Sequence, residues 1–208
     1  MSKSHGFTLN EVLISVFILG LIASASVVNL RTARQRDELE SAVRVIAADL
    51  RSLQSRALSA QNVKSCLAGA VRQVCELSQA GCTGACSDAS PIAVGAHFAQ
   101  NTTSYTLFAE VEPTKNEWEQ TDATEVFLTR DLSKSGGTNT QITTLNAGGS
   151  PVAQTDISFQ RQNGSLGIDG CYAPCASPVT LVITVAHSIS GVTRTVSANA
   201  YTGRISID

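Results

Sequence analysis

Glu11 is the ionisable side chain at the start of a long uncharged run, and charge pairing is the chemistry that its position calls for. No side chain between Val12 and Leu30 is charged. At a helical rise of about 1.5 Å per residue this run spans roughly 30 Å, the thickness of the hydrocarbon core of a bilayer. A carboxylate at the bilayer centre costs on the order of 3 kcal/mol, and less near the interface, so the sequence predicts an opposite charge for Glu11. The polar side chains within the run are Ser15, Ser24, Ser26 and Asn29.

The residues around Glu11 distinguish between kinds of N-terminal segment. A short polar leader with Lys3 and His5 precedes it. An ordinary signal anchor would place Glu11 at the headgroup level, where its charge costs little. A secretory signal peptide would have a shorter apolar core followed by small residues, a pattern that residues 23–26 could imitate. The apolar run is longer than such a core, which argues against a cleaved secretory signal.

The polar leader, the junction between Gly6 and Phe7, and Glu11 five positions into the remaining chain together resemble the class III signal of type IV prepilins and pseudopilins. The resemblance implies that a prepilin peptidase cuts between Gly6 and Phe7 and methylates the new amino group of Phe7. That amino group, with an ordinary pKa of roughly 7.7 to 8.0, is largely cationic at neutral pH. The resemblance further implies that Glu11 of one subunit pairs with the terminal amine of a neighbour, so that the mechanism is polymerisation.

The cysteines all lie beyond the predicted membrane segment, and their even number indicates disulfides on the exported side. Six cysteines allow fifteen complete pairings, and the sequence does not choose among them. We expect a local bridge between Cys171 and Cys175, because the two are close together and far from the others. The other four would then pair among themselves: Cys66, Cys75, Cys82 and Cys86.

A zinc site is the alternative for four of these residues. The pairs Cys82/Cys86 and Cys171/Cys175 could supply four thiolates, although CxxC is the commoner spacing and oxidation outside the cytosol competes with metal binding. A thiol oxidoreductase would use CxxC, which neither pair provides. Disulfides are therefore the expectation, with no metal and no cofactor.

An apolar stripe with helical spacing follows the membrane run. No proline or glycine occurs between Leu21 and Asn62, so the sequence predicts a continuous helix from about Phe7 to about Asn62, roughly 85 Å long. Its first half would face lipid or a helix bundle, and its second half would pack on a globular head. The stripe lasts under three heptads, which makes a coiled coil the weaker alternative. Its members are Leu39, Val43, Ile46, Leu50, Leu53 and Ala57.

Charged side chains are expected away from this stripe, on a solvated face. Opposite charges four residues apart are expected to pair, adding a few tenths of a kcal/mol each, at Arg34/Glu38, Arg36/Glu40 and Glu40/Arg44. The charged residues placed away from the stripe are Arg44, Asp49, Arg51 and Arg56.

Beyond Val63 the sequence has short β-type runs bounded by Asn, Gly, Pro or Ser. Residues 179–185 and 192–198 flank a Ser-Ile-Ser-Gly turn and predict a hairpin. Segments 135–140 and 148–150 are predicted to be ordinary loops. They are not predicted to bind phosphate, because no GK[ST] follows them. The other predicted strands are residues 93–98, 104–111, 125–128, 141–145, 156–160 and 204–207.

These elements give an α+β fold, a long N-terminal helix against an antiparallel sheet, which is similar to the pilin fold. Residues 94–98 with 104–110, and the closing residues 202–205, resemble the head of minor pilins of the pseudopilin H-like group. The predicted organisation is a leader (1–6), a membrane or filament-core half of the helix (7–30), an amphipathic half (31–62) and a disulfide-containing β-rich head (63–208).

Other candidate sites in the head are weaker. The chain has a net charge of −2, which excludes a global basic field for nucleic acid, and Arg194 and Arg204 are the only basic residues after Arg161. His97 is expected to pack or hydrogen-bond on a strand, and no histidine-based catalytic set is evident. An acidic stretch lacks the alternating pattern of calcium loops and is expected to be solvated: Glu110, Glu112, Asn116, Glu117, Glu119 and Asp122.

The leading hypothesis is therefore a structural subunit of a type IV pilus or related filament and not an enzyme. Its partners would be other pilin subunits through the N-terminal helix, prepilin peptidase, and the cytoplasmic membrane before assembly. A minor tip pilin or a type II secretion pseudopilin fits the same motifs. A different class, a membrane-anchored adhesin or a DNA-binding uptake receptor, would bind a host surface or DNA through the head. The expected location is the membrane, leader inside, and then an extracellular filament.

Overall fold

The protein consists of a long N-terminal helix followed by antiparallel β-sheets, as the sequence predicts. It divides into two compact units, Met1–Asp37 and Glu38–Asp208. The leader, Phe7, Cys175 and most of the acidic stretch lie outside the described residues. The computed structural model describes residues 9–68, 71–75, 82–111, 125–137, 139–161, 163–168, 171–172 and 180–208.

Helix α1 extends over Leu9–Leu58 and ends four residues before the predicted boundary. The amide of Ala60 donates to the carbonyl of Ala57 at 3.2 Å, and that of Gln61 donates to the carbonyl of Arg56 at 3.2 Å. These two bonds form a Schellman motif, in which the residue after the helix takes a left-handed conformation. Ala60 is that residue, with φ at 51°. The sequence contains no glycine here, which is why the end could not be located from it.

The predicted stripe of α1 is confirmed as the face that packs in the core of the second unit. None of its members is more than 3% exposed. Burying an aliphatic side chain of this kind contributes about 1.5 to 3 kcal/mol, so the stripe is a main source of stability for the contact between α1 and the sheets. The buried members are Leu39, Val43, Ile46, Leu50, Leu53 and Ala57.

Fourteen strands and a second helix follow α1 in the part of the chain that the structure describes. In chain order they are β1 (Val63–Ala68), β2 (Val71–Val74), β3 (Ser87–Ala89), β4 (Ala93–Ala99), β5 (Ser104–Glu110), β6 (Val126–Asp131), α2 (Leu132–Gly136), β7 (Thr140–Ala147), β8 (Ser150–Val152), β9 (Gln154–Gln160), β10 (Leu166–Ile168), β11 (Cys171–Tyr172), β12 (Thr180–His187), β13 (Thr193–Asn199) and β14 (Ile205–Ile207).

The strands form three antiparallel sheets. The first has the order β2-β1-β3, the second β11-β10-β9-β4-β5-β6 and the third β14-β13-β12-β7-β8. An isolated antiparallel β-bridge links the second and third sheets. It pairs Thr102, which lies between β4 and β5, with Ile142 in β7. In β12 the alternating side chains of Leu181, Ile183 and Val185 are fully buried and form the core-facing side of the strand.

All eight predicted strands are present with boundaries moved by a few residues, and the hairpin is formed by β12 and β13. The loop prediction for 135–140 is wrong at both ends, because α2 reaches Gly136 and β7 begins at Thr140. Asp131 caps α2: its carboxylate accepts from the Ser133 hydroxyl at 2.6 Å and from the Ser133 amide at 2.9 Å. These bonds lower the pKa of Asp131. The prediction for 148–150 is also wrong at Ser150, which begins β8.

Two disulfides hold the first sheet to the segment that follows it. Cys66 in β1 bonds to Cys82, and Cys75, directly after β2, bonds to Cys86, with Cα separations of 5.7 and 6.3 Å. Because Cys82 and Cys86 are each joined to another cysteine, they are not thiolate ligands here, which argues against the zinc alternative. Cys171 lies in β11, and the expected bridge from it to Cys175 falls outside the described residues.

Candidate functional site

Glu11 lies in the first turn of α1 with its residue exposed. A helix N-terminus carries partial positive charge, so an acidic side chain is favourable at this position. The hydroxyl of Ser15 donates to the backbone carbonyl of Glu11 at 2.7 Å, one turn further along. The helix therefore presents a carboxylate at the beginning of its apolar surface.

The surface that follows Glu11 is apolar and exposed on all sides of the helix. The helix is long and apolar enough to cross a membrane, and none of its most apolar stretch is buried within the protein. Exposure of so many large apolar side chains in water is unfavourable, which marks the surface as one that contacts lipid or protein. Exposed members include Val12, Leu13, Val16, Phe17, Leu19, Ile22 and Leu30.

The three serines of this segment turn their hydroxyls toward their own helix. Ser24 donates to the carbonyl of Leu21 at 2.8 Å and Ser26 donates to that of Ile22 at 2.9 Å, in the same way as Ser15. In lipid an unsatisfied polar group costs several kcal/mol. These internal bonds therefore make the serine-containing helix compatible with a hydrocarbon surrounding.

A partly buried polar cluster joins α1 to strands β5 and β6 within the second unit. The Asp49 carboxylate accepts from the Tyr105 hydroxyl at 2.7 Å and from Arg130 Nε and Nη2 at 2.8 and 3.1 Å. Burial, followed by the neighbouring Asp49 charge, raises the pKa of Tyr105. The hydrogen bond to Asp49 is the main cause that raises the pKa of Arg130. At physiological pH the Tyr105 phenol therefore keeps its proton and donates it to the Asp49 carboxylate.

This cluster corrects the prediction that Asp49 lies away from the apolar stripe. Asp49 is only 9% exposed, because it is three residues after Ile46 and four before Leu53 and so flanks the stripe. From this spacing alone, partial burial of the Asp49 side chain could have been predicted. Its partners lie 56 and 81 residues further along the chain, and no pattern in the sequence links them to it.

The head histidines take structural positions. His97 lies on β4, and its Nδ1 is 2.8 Å from the Asp156 carboxylate on the adjacent strand β9, which confirms that it hydrogen-bonds on a strand. His187 ends β12 and is buried; its Nδ1 accepts from the amide of Ser190 at 3.3 Å. In the described part of the chain no group of three or more His, Cys, Asp or Glu residues could hold a metal ion.

The two arginines considered for DNA binding are both exposed, but one has a carboxylate beside it. Arg194 Nε lies 3.6 Å from Glu40 Oε2, so part of its charge is compensated within the protein. Arg204 is exposed just before β14. The pair therefore gives little net positive surface for a phosphate backbone.

Two cavities lined by described residues of the second unit contain no catalytic pair. One of about 280 Å³ includes Asp49, Arg56 and Arg130, but the Asp49 carboxylate already accepts three hydrogen bonds. Another, of about 490 Å³, is lined by Ser90, Pro91, Ile92, Gln160, Arg161 and Asn163, a set that contains no general base.

Residues 1–27 match a family model described as the prokaryotic N-terminal methylation motif. The match includes the leader, the Gly6/Phe7 junction, Glu11 and most of the apolar run. No curated protein and no solved structure matches the chain.

This motif is continuous with a helix long and apolar enough to span a membrane, and antiparallel sheets follow that helix. In this N-terminal segment the chain is similar to type IV prepilins and pseudopilins. The motif indicates a substrate of prepilin peptidase that assembles with other pilin subunits, and the apolar helix supports anchoring in the membrane before assembly.

Proposed function

We propose that this protein is a structural subunit of a type IV pilus or a related filament, and that it enters the filament through α1. The observation that carries the proposal is the methylation motif at residues 1–27, which runs directly into an exposed apolar helix surface. Prepilin peptidase would cut between Gly6 and Phe7 and methylate the amino group of Phe7. The helix would then leave lipid for a bundle of like helices, where its apolar surface stays dry.

Glu11 would direct this transfer. Cleavage creates a cationic amino group, and a carboxylate about one turn further along the same helix faces the amino group of a neighbour when helices are staggered. A charge pair formed away from water is stronger than the same pair in water. The position of Glu11 in the first turn, at the start of the exposed apolar surface, supports this role.

Processing is tested on the protein recovered from sheared filaments. Its N-terminus should be methylated Phe7, read by mass spectrometry of the terminal peptide. A Gly6 variant that blocks cleavage provides the control and should keep the leader and stay in the membrane. Recovery of Met1 in filament material would contradict the proposal.

Assembly is tested with Glu11→Ala. This variant should insert and fold its head but appear in filaments at a small fraction of the wild-type level. Asp88→Ala is the matched control, since it also removes one carboxylate, from an exposed surface pair with Lys64. Normal incorporation of Glu11→Ala would leave Glu11 without a part in assembly.

A minor tip pilin or a secretion pseudopilin would use the same N-terminal chemistry. Immunolabelling of intact cells and sheared filaments distinguishes these roles: a main subunit labels the whole filament length, whereas a tip subunit labels one end. A pseudopilin would label no long surface filament.

A further inference from the structure

Three arginines follow the apolar run of α1 within six residues: Arg31, Arg34 and Arg36. All three are exposed, and none makes an ion pair with any residue that the structure describes. Asp37 is likewise exposed and adds one negative charge next to three positive ones. We call Arg31, Arg34 and Arg36 the arginine collar.

The carboxylates that the sequence offers to the collar are engaged elsewhere. Glu40 accepts from Arg44 at 3.1 Å and lies 3.6 Å from Arg194. Glu38 lies 3.5 Å from the buried Nε2 of His187. The predicted pairs Arg34/Glu38 and Arg36/Glu40 are therefore not formed, and only the predicted pair Glu40/Arg44 is present. Among the described residues the collar therefore has no ion-pair partner, so its charge is open to a ligand.

The collar spans about 200° of the helix circumference. At about 100° per residue, Arg34 is about 60° from Arg31 around the axis, and Arg36 is about 140° from Arg31 on the other side. A single protein neighbour would face only part of this arc. A layer of lipid headgroups would meet all of it, at the depth where the apolar run ends.

We propose that the arginine collar binds anionic phospholipid headgroups at the exported surface of the membrane, an inference that rests on the proposed membrane-anchored stage. Guanidinium groups form bidentate hydrogen bonds with phosphate oxygens, which suits them to this ligand. The charge attraction that holds basic residues at an anionic cytoplasmic leaflet applies equally at the exported leaflet wherever that leaflet contains anionic lipid. The collar would hold the unassembled subunit at a fixed depth and would have to release its lipids when the subunit enters a filament.

The test measures which lipids stay with the full-length protein. The chain is reconstituted in vesicles with equal amounts of phosphatidylglycerol and phosphatidylcholine, extracted gently in detergent, and its bound lipids are counted by headgroup. We expect the wild type to retain phosphatidylglycerol over phosphatidylcholine by at least about threefold, and this ratio to fall as salt rises. The triple variant R31Q/R34Q/R36Q should bring the ratio close to one.

The control is R44Q/R194Q/R204Q, which removes the same charge from exposed positions of the second unit and should leave the ratio at the wild-type value. An unchanged ratio in the collar variant overturns the proposal. So does self-association that is independent of phosphatidylglycerol and lost in the collar variant, because the partner would then be a second copy of the chain. Lipid retention requires neither cleavage nor filament entry, so its outcome is separate from that of Glu11→Ala.

Discussion

Arg130 donates two hydrogen bonds to the carboxylate of Asp49, from Nε at 2.8 Å and from Nη2 at 3.1 Å. The pair connects strand β6 to helix α1 across a contact that is otherwise apolar. Tyr105 from β5 completes it with a third hydrogen bond. Hydrogen bonds are directional, so these three bonds form only when α1 has one orientation relative to β5 and β6. They therefore restrict the rotation of α1 about its axis more than aliphatic contacts do.

Asp49→Asn should lower the free energy of unfolding by about 1 to 2 kcal/mol, since it removes the charge from two charge-assisted hydrogen bonds to an arginine that is only partly shielded from water. Denaturant unfolding of the full-length chain in detergent measures this. Arg44→Gln is the control, because its pair with Glu40 is exposed and should contribute less than about 0.5 kcal/mol. A loss for Asp49→Asn no larger than that of the control would show that the cluster does not stabilise the fold.

Tyr105→Phe should change how stability depends on pH at the alkaline end. The raised pKa means that the folded protein keeps the phenolic proton above pH 10, where the unfolded chain releases it. Stability from this group is therefore complete below about pH 10 and is lost as pH rises beyond that value. The wild type should lose stability between pH 10 and 11.5 more steeply than Tyr105→Phe. Parallel curves for the two proteins would contradict this prediction.

Ala60→Gly should stabilise the protein by up to about 1 kcal/mol. Ala60 has a φ of 51°, a conformation that glycine adopts without steric cost and that other residues adopt at a cost of about 1 to 2 kcal/mol. Part of this gain is offset by the greater freedom of glycine in the unfolded chain. The expected rise in Tm is about 2 to 4 °C. Ser59→Gly, one position earlier and without a positive φ, should lower Tm instead.

Gly95→Ala should destabilise the protein by about 2 kcal/mol or more. A Cβ at this position of β4 would meet the ring of Phe108 and the backbone carbonyl of Ile157, and a sheet carbonyl cannot move aside as a flexible side chain can. Gly84→Ala is the control, since a Cβ there meets nothing within 4 Å. Both variants can be compared by thermal unfolding, and equal Tm values would show that the strand has room for the extra atom.

The parts of the fold that the sequence predicts are those with a strong local pattern. The stripe of α1 repeats at helical spacing over five turns, and β12 alternates Leu181, Ile183 and Val185 with less buried residues. Glu11 and the predicted cleavage site between Gly6 and Phe7 could be singled out because both belong to one contiguous motif, which the sequence shows directly.

The elements that were missed lack such a pattern. β1 to β3 are three to six residues long, and Val63 pairs with Ala89, 26 positions away, so their order depends on tertiary contacts and disulfides. β10 is a three-residue strand with a glycine at its centre. Asp49 was placed on the solvated face because it is charged. Nothing in the sequence indicates that Arg130, 81 residues further along, pairs with it.

The inward-turned serine hydroxyls have a mechanical consequence for any bundle that α1 joins. Ser15, Ser24 and Ser26 use their hydrogen-bond donors on their own backbone and have none left for a neighbour. Contacts along these stretches are then non-directional, so adjacent helices can slide past each other under tension without breaking a specific bond there. Resistance to stretching would have to come from the charged ends of the apolar segment and from contacts between heads.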